Sequence, residues 1–124
     1  MAERDLSTLL STLTVTRKPG LWAYSSEVAA PGDDAIFAFK EEEGWTSVVE
    51  ATIDTSADNR WVWLILDVYS DLHAVGFLAA VAQALAEADV PCNAVAGFHH
   101  DHIFVPEAKA KAAVAALRAL ATSD

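Results

Sequence analysis

The segment at residues 61–69 constrains the fold more than any other part of the chain. It alternates two sets of side chains, and both are mainly apolar: one is Val62, Leu64, Leu66 and Val68, the other Trp61, Trp63, Ile65, Asp67 and Tyr69. A strand that is apolar on both faces lies inside a sheet and is covered on each side. We therefore predict a central strand. Helices are expected on its aliphatic face, and another sheet, the N-terminal half or a second subunit on its tryptophan face.

The residues after this strand predict the element order βαββα. Ser70 and Asp71 are typical N-cap residues before an alanine-rich helix over 72–88, whose apolar stripe is Val75, Leu78, Ala82 and Leu85. Residues 93–98 and 103–105 predict a two-stranded hairpin around a turn at 99–101. Pro106 and Glu107 suit the start of a closing helix. The stripe of that helix is Ala110, Ala113, Val114, Leu117 and Leu120.

The N-terminal half predicts a short helix followed by strands. Leucines at helical spacing indicate a helix over 5–13 with Asp5 as its N-cap. Pro19 and Gly20 form a turn between two short strand-like runs, 14–17 and 21–25. Residues 35–40 and 45–50 predict a hairpin around three glutamates and Gly44, and the polar residues 53–60 are typical of a linker.

Length and charge narrow the classes of protein. A chain of 124 residues that is 53% hydrophobic suits one soluble domain. The net charge of −10 arises from 18 acidic and 8 basic residues, and the basic ones form no run, so nucleic acid and membrane are not expected partners. The single cysteine, Cys92, and the lack of a signal peptide or an apolar span predict a cytoplasmic protein.

Two stretches carry a resemblance to a known family. The strings LHAVGFLAAV (72–81) and CNAVAGFHHDHIFVP (92–106) resemble stand-alone ACT-like proteins, which are related to the regulatory ACT domain of aspartokinases, and FAFKEEEGW (37–45) resembles the N-terminal half of the same proteins. The resemblance implies a ferredoxin-like α+β fold with an antiparallel sheet and two ACT-like halves, a divergent one at 1–56 and another at 57–124. The second half lacks a fourth strand, so the N-terminal half or a homodimer partner is expected to supply it.

The same resemblance implies a ligand site at the loop from the first strand into the first helix and along the second strand. The residues concerned are Ser70, Asp71, Leu72, His73, Val75, Gly76, Asn93 and Val95. A helix N-terminus favours a carboxylate, and Asp71 suits an ammonium group, so an amino acid or a similar small carboxylate fits. In the plainer alternative Asp71 only caps the helix, Asn93 satisfies an edge and Gly76 eases packing.

A metal site and a reactive cysteine are the alternatives to a ligand-binding site. His100 and His102, in the turn that begins at His99, could bind a metal with help from His73, but such residues more often stabilise a hairpin turn. Cys92 begins an apolar strand, as a buried thiol usually does, and no nucleophile elbow, P-loop or dinucleotide motif occurs. The sequence therefore predicts a non-catalytic regulatory protein without a cofactor. The alternative is a ligand-free interaction module whose Trp61 and Trp63 face forms a dimer.

Overall fold

The structure is a computed structural model and describes residues 2–122. The elements follow one another as α1 (Leu6–Thr12), β1 (Val15–Arg17), β2 (Trp22–Glu27), β3 (Phe37–Glu41), β4 (Gly44–Glu50), β5 (Trp61–Leu66), α2 (Phe77–Glu87), β6 (Asn93–Ala96), β7 (Asp101–Pro106) and α3 (Ala110–Thr122). Short 3₁₀ turns precede β5, at Ala57–Asn59, and α3, at Glu107–Lys109. Within residues 2–122, no helix combines the length and apolarity needed to cross a membrane.

All named strands join one curled antiparallel sheet. Its order is β3-β4-β2-β5-β7-β6, and β1 also pairs with β5. The prediction of a central strand at residues 61–69 is confirmed, because β5 lies between β7 on one side and β1 and β2 on the other. Its β-ladder ends at Leu66, three residues earlier than predicted. The predicted coarse class, mixed helix and strand on an antiparallel sheet, is also confirmed.

The aliphatic face of β5 forms the floor of the hydrophobic core. Val62, Leu64 and Leu66 are fully buried beneath α2 and α3, which contribute side chains such as Leu85 and Leu117. Helix α1 adds Leu9 and its C-cap residue Leu13 to the same core, and its N-cap is Asp5, as predicted. The core is therefore built by both halves of the chain.

The tryptophan face of β5 is partly covered by the N-terminal half, and Trp61 and Trp63 are half-buried. Trp22 of β2 meets Trp63 edge-on with ring centroids 5.2 Å apart, and Tyr24 meets Trp61 at 5.5 Å. Aromatic rings favour this edge-to-face geometry over a flat sandwich. Of the three neighbours predicted for this face, the structure contains the N-terminal half of the same chain.

Strand β1 pairs with β5 on the side away from β7. The Lys18 amide donates to the Trp63 carbonyl at 2.9 Å, and the Asp67 amide donates to the Thr14 carbonyl at 2.8 Å. Beyond the turn at Pro19 and Gly20, Trp22 continues along the same side of β5 by pairing with Trp61. The two halves are therefore one hydrogen-bonded sheet.

The predicted β3–β4 hairpin is confirmed, with its turn at Glu42 and Glu43. Gly44 follows the turn at φ +142°, and a Cβ there would lie 2.7 Å from the Glu27 carbonyl oxygen, so only glycine fits. The polar segment 53–60 is held by hydrogen bonds and is no free linker. The Asn59 side chain accepts from the Tyr24 amide and donates to the Tyr24 carbonyl, both at 3.0 Å.

Helix α2 begins at Phe77, five residues after the predicted start, and neither Ser70 nor Asp71 caps it. Its N-cap is Gly76 at φ +93°, a left-handed conformation that favours glycine. The late start accompanies a long-range contact: Ser70 pairs with Glu3, and a turn at Leu72 and His73 follows before the helix begins.

Candidate ligand-binding site

The loop between β5 and α2 is held in place by the N-terminal segment. The Glu3 amide donates to the Tyr69 carbonyl at 2.8 Å, and the Asp71 amide donates to the Glu3 carbonyl at 2.7 Å. These two bonds make a short parallel bridge beside Ser70. Residues 69–71 are therefore fixed by a part of the chain almost seventy positions away.

Asp71 organises the turn that follows. Its Oδ1 accepts from the His73 amide at 2.8 Å and lies 3.2 Å from Arg4 Nε. The bond from the His73 N–H lowers the pKa of this carboxyl, burial opposes that effect, and the nearby Arg4 guanidinium lowers the pKa further. Asp71 is accordingly a turn-stabilising carboxylate that stays ionised.

The N-terminus of α2 leaves backbone N–H groups without helical acceptors. No side chain in the described part of the chain caps the helix at Gly76, and the first intrahelical bond is from the Ala80 amide to the Gly76 carbonyl at 2.9 Å. The amides of the first turn therefore lack intrahelical acceptors and carry the positive end of the helix dipole. Gly76 itself packs on α1, since a Cβ there would come within 3.3 Å of Leu6 Cδ2.

A cavity of about 140 Å³ lies at this helix terminus, and we refer to it as the helix cleft. It is bounded by the β5–α2 loop, the first turn of α2, the end of β6 and the start of β7. Its lining comprises Ser70, Asp71, Leu72, Ala74, Gly76, Phe77, Leu78, Ala79, Ala96 and Asp101.

Asp101 is the distinctive group of the helix cleft. It is only 6% exposed, and its Oδ2 accepts a hydrogen bond from Ser70 Oγ at 3.0 Å. Burial raises the pKa of this carboxyl, while the bond from Ser70 and the neighbouring histidines His102 and His100 oppose that rise. A buried carboxylate thus lies in a cleft beside first-turn N–H groups that have no acceptor within residues 2–122, an arrangement that can bind a cation and an anion side by side.

Sequence reasoning placed Asp101 in a turn and did not include it in the ligand site. It is in fact the first residue of β7, facing the helices on the same side as Ile103 and Val105. The sequence contains a signal for this position. Strand alternation from Val105 and Ile103 puts residue 101 on the same, buried face. A charged residue at such a position is expected to be functional or paired.

A second, shallower cavity of about 190 Å³ adjoins the first across residues 70–72, and we call it the Phe98 hollow. His99 stands between two rings there, 5.6 Å from Tyr69 and 5.2 Å from Phe98. Leu72 and Phe98 line the hollow and are 62% and 67% exposed. The helix cleft therefore lies next to an exposed apolar surface.

The structure brings together most of the predicted loop residues but not those of the strand. Ser70, Asp71, Leu72 and Gly76 line the helix cleft, His73 lines the Phe98 hollow, and Val75 is 85% exposed outside both.

Asn93 and Val95 lie elsewhere because side chains alternate along a strand. Asn93 pairs with Phe104 at the opposite end of β6 from the helix cleft. Val95 lines a separate cavity against Trp63 on the tryptophan face. Ala96 is the β6 residue that reaches the helix cleft.

The histidine turn and the lone cysteine show no reactive geometry. The His102 Nδ1 accepts from Trp63 Nε1 at 3.0 Å, and burial, helped by His100, lowers the pKa of its imidazole. Burial raises the pKa of the Cys92 thiol, the opposite of activation. Across residues 2–122, no three histidine, cysteine or acidic side chains gather in a way that could hold a metal ion.

Comparisons with known proteins place the fold. The chain is 35% identical to the Vibrio cholerae protein VC0802, described as a protein of unknown function and possible transport protein, with a TM-score of 0.81 over 94% of this chain and 96% of that one. The Agrobacterium tumefaciens protein Atu0741 shares the fold at 15% identity, with a TM-score of 0.70 and coverage of 88% and 89%. A search of curated proteins gives no match. The family model of the ACT domain matches residues 57–119, which include the whole helix cleft, and the chain belongs to the ACT domain family.

Proposed function

We propose that this protein is a non-catalytic sensor that binds a small amino acid, or a similar small carboxylate, in the helix cleft. Membership of the ACT domain family supports a regulatory, ligand-binding role in general. The observation that carries the specific proposal is the buried Asp101 carboxylate beside the uncapped N-terminus of α2. We propose a cytoplasmic location, because free amino acids are available there and Cys92 stays reduced there.

The two ends of an amino acid fit the two polar features of the cleft. The α-carboxylate would accept from first-turn amides at Phe77, Leu78 and Ala79, as anions do at helix N-termini. The ammonium group would pair with Asp101, which has one hydrogen bond from Ser70 and room for more at its two oxygens.

The size of the cleft limits the ligand. A volume of about 140 Å³ is well below the roughly 300–1,000 Å³ of pockets that hold drug-sized molecules, so glycine, alanine, serine and threonine are better candidates than arginine or tryptophan. The cleft walls at Ala74, Ala79 and Ala96 have small side chains, which leaves space for one short ligand side chain.

A thermal-shift screen of the protein against the twenty amino acids tests this proposal. A ligand at 100 times its Kd should stabilise the fold by about 2.7 kcal/mol, which is roughly 10 °C in Tm for a chain of this size. The shift should disappear in Asp101→Asn. It should persist in Asp89→Asn, a matched change at a carboxylate that is 98% exposed and paired with Lys109. A flat response to every amino acid, or an undiminished shift in Asp101→Asn, contradicts the proposal.

We further propose that the protein forms a homodimer through the apolar rim of the site. Leu72, Val75 and Phe98 expose large side chains beside the helix cleft and the Phe98 hollow, and exposed apolar patches of this kind mark interaction surfaces. A partner on this rim would also close the ligand site. The tryptophan face is a weaker candidate, because the N-terminal half already covers Trp61 and Trp63.

Sedimentation velocity distinguishes the rim from other surfaces. Phe98→Glu and Leu72→Glu should each shift the protein to monomer, whereas Phe39→Glu, at a phenylalanine that is also 62% exposed but lies in the β3–β4 hairpin, should leave the dimer intact. A dimer that survives both rim changes refutes the assignment. A rim-dependent dimer with no thermal response to any amino acid would instead favour the second candidate function, a ligand-free interaction module.

We also propose that residues 1–56 are a divergent ACT-like half and 57–124 the second, together making a ferredoxin-like unit. Supporting this, the order β5-α2-β6-β7-α3 is completed by β1, which takes the place of a fourth strand beside β5. Residues 28–36 form a loop where a full first half would have a helix. A 57–124 fragment should therefore lack a cooperative unfolding transition by circular dichroism. A fragment that folds cooperatively by itself would contradict this shared unit.

A further inference from the structure

A groove of about 420 Å³ runs between α3 and the edge of β1, on a different surface from the helix cleft. We call it the basic groove. One wall is a single stripe of α3, because its four residues are spaced three and four apart, and the other wall is formed by two residues of β1. The lining comprises Val15, Arg17, Lys111, Val114, Ala115 and Arg118.

The charge of the groove is opposite to that of the whole protein. Three of the chain's eight basic residues, Arg17, Lys111 and Arg118, line it, although the net charge is −10. All three are exposed, and within residues 2–122 none forms an ion pair or a side-chain hydrogen bond. Among the described residues, no acidic side chain lines the groove. The fold therefore concentrates unpaired positive charge that is scattered in the sequence.

The β1 wall also presents backbone groups for which residues 2–122 supply no hydrogen-bond partner. Hydrogen-bonded pairs alternate in an antiparallel ladder, and the bonds from Lys18 to Trp63 and from Asp67 to Thr14 fix which residues of β1 face β5. Thr14, Thr16 and Lys18 point their backbone groups at β5. By the same alternation, the N–H and C=O groups of Val15 and Arg17 point away from it, towards the open edge.

We propose that the basic groove binds an acidic peptide segment of a partner protein as an added strand on β1. The outward groups of Val15 and Arg17 would pair with the peptide backbone, as in other cases of strand addition to an open edge. Acidic side chains on the face of the peptide that points into the groove would meet Arg17, Lys111 and Arg118.

The observations favour such a peptide over other occupants. A second copy that paired β1 with β1 would bring the basic grooves of the two copies into one interface, which is unfavourable because their charges have the same sign. The net charge of −10 disfavours a nucleic acid, whose affinity depends on many phosphate contacts. A short acidic strand needs only the local positive charge and the open edge.

Fluorescence anisotropy with labelled ten-residue peptides tests the proposal. The probe (Glu-Val)₅ should bind, (Lys-Val)₅ should not, and (Glu-Pro)₅, which has the same charge but cannot form a strand ladder, should bind at least tenfold more weakly. Arg118→Glu and Lys111→Glu should each weaken (Glu-Val)₅ by about three- to tenfold, as expected for a reversed charge in an exposed contact. Lys40→Glu makes the same charge change in the β3–β4 hairpin and should have little effect.

Amide hydrogen exchange shows whether the edge itself is used. Binding of (Glu-Val)₅ should slow exchange at the Val15 and Arg17 amides, while Thr16, already bonded to β5, should change little. Equal affinity for (Glu-Val)₅ and (Glu-Pro)₅ would overturn the strand-addition proposal in favour of a simple anion site. Binding that ignores both α3 charge reversals, or salt-dependent self-association through this surface in place of peptide binding, would also overturn it.

Discussion

Replacing Asp101 with asparagine should make the protein more stable at neutral pH while removing its ligand response. The carboxylate is 6% exposed and has one hydrogen bond, from Ser70. Burial raises its folded-state pKa above the ordinary value of 3.8. Between those two values the folded state binds more protons than the unfolded state, so stability falls as pH rises through the folded-state pKa. At pH 7 the charge at Asp101 therefore costs stability.

The size of the effect follows from two opposing contributions. Asparagine keeps an acceptor for Ser70, but a neutral hydrogen bond contributes about 1 kcal/mol where one to a charged group contributes about 1.5–3. Removing a buried charge relieves a desolvation cost, which is several kcal/mol for a fully buried ion. The cost at Asp101 is smaller, because water reaches the cleft. We expect a net gain of about 1 kcal/mol, or roughly 4 °C in Tm.

Urea unfolding at pH 7 and at pH 4 measures this directly. The gain in Asp101→Asn over the unmodified protein should be present at pH 7 and should shrink at pH 4, where Asp101 is increasingly protonated. The exposed Asp89→Asn should show no such gain, because surface ion pairs contribute little. A loss of more than 1 kcal/mol at pH 7 in Asp101→Asn, or a difference that does not depend on pH, would refute the account of a costly buried charge.

Three further predictions test the fold. Gly44→Ala should lower the free energy of unfolding in urea by about 1–3 kcal/mol, because its φ of +142° and the 2.7 Å approach of a Cβ to the Glu27 carbonyl strain any other residue. Leu85→Ala should cost about 2.7–5 kcal/mol in the same assay, since the side chain is fully buried in the core. The folded-state pKa of His102 lies below 6.5 because of burial, so the unfolded state binds more protons and stability should be lost as pH falls below about 6.5. His102→Phe should remove that part of the pH dependence, and the Trp63 indole N–H resonance should shift through the same pH range only in the unmodified protein.

The sequence predicted the centre of the fold because the signal there is local. Both faces of β5 are apolar over several residues, and that pattern is sufficient to place a strand in the middle of a sheet. The α1 cap at Asp5 and the β3–β4 hairpin were predicted for the same reason, since an N-cap and a tight turn depend on neighbours in sequence.

The site was only half predicted because its decisive contacts are long-range. Ser70 and Asp71 are good N-cap residues by type. In the structure, however, Ser70 pairs with Glu3 and its hydroxyl donates to Asp101, and the helix begins only at Phe77. Likewise, the basic groove assembles β1 and α3 residues that are nearly a hundred positions apart. Pairings of this kind arise from the folded sheet and leave little trace in local patterns.

The central claim is that the N-terminus of α2, with Asp101 beside it, receives a small amino acid. A ¹H–¹⁵N NMR titration of the protein with glycine, alanine, serine and threonine tests it most directly. For at least one of the four we predict saturable shifts, largest at the Phe77, Leu78 and Ala79 amides and absent in Asp101→Asn. Saturable shifts confined to the tryptophan face, or no saturable shift with any of the four, would contradict the claim.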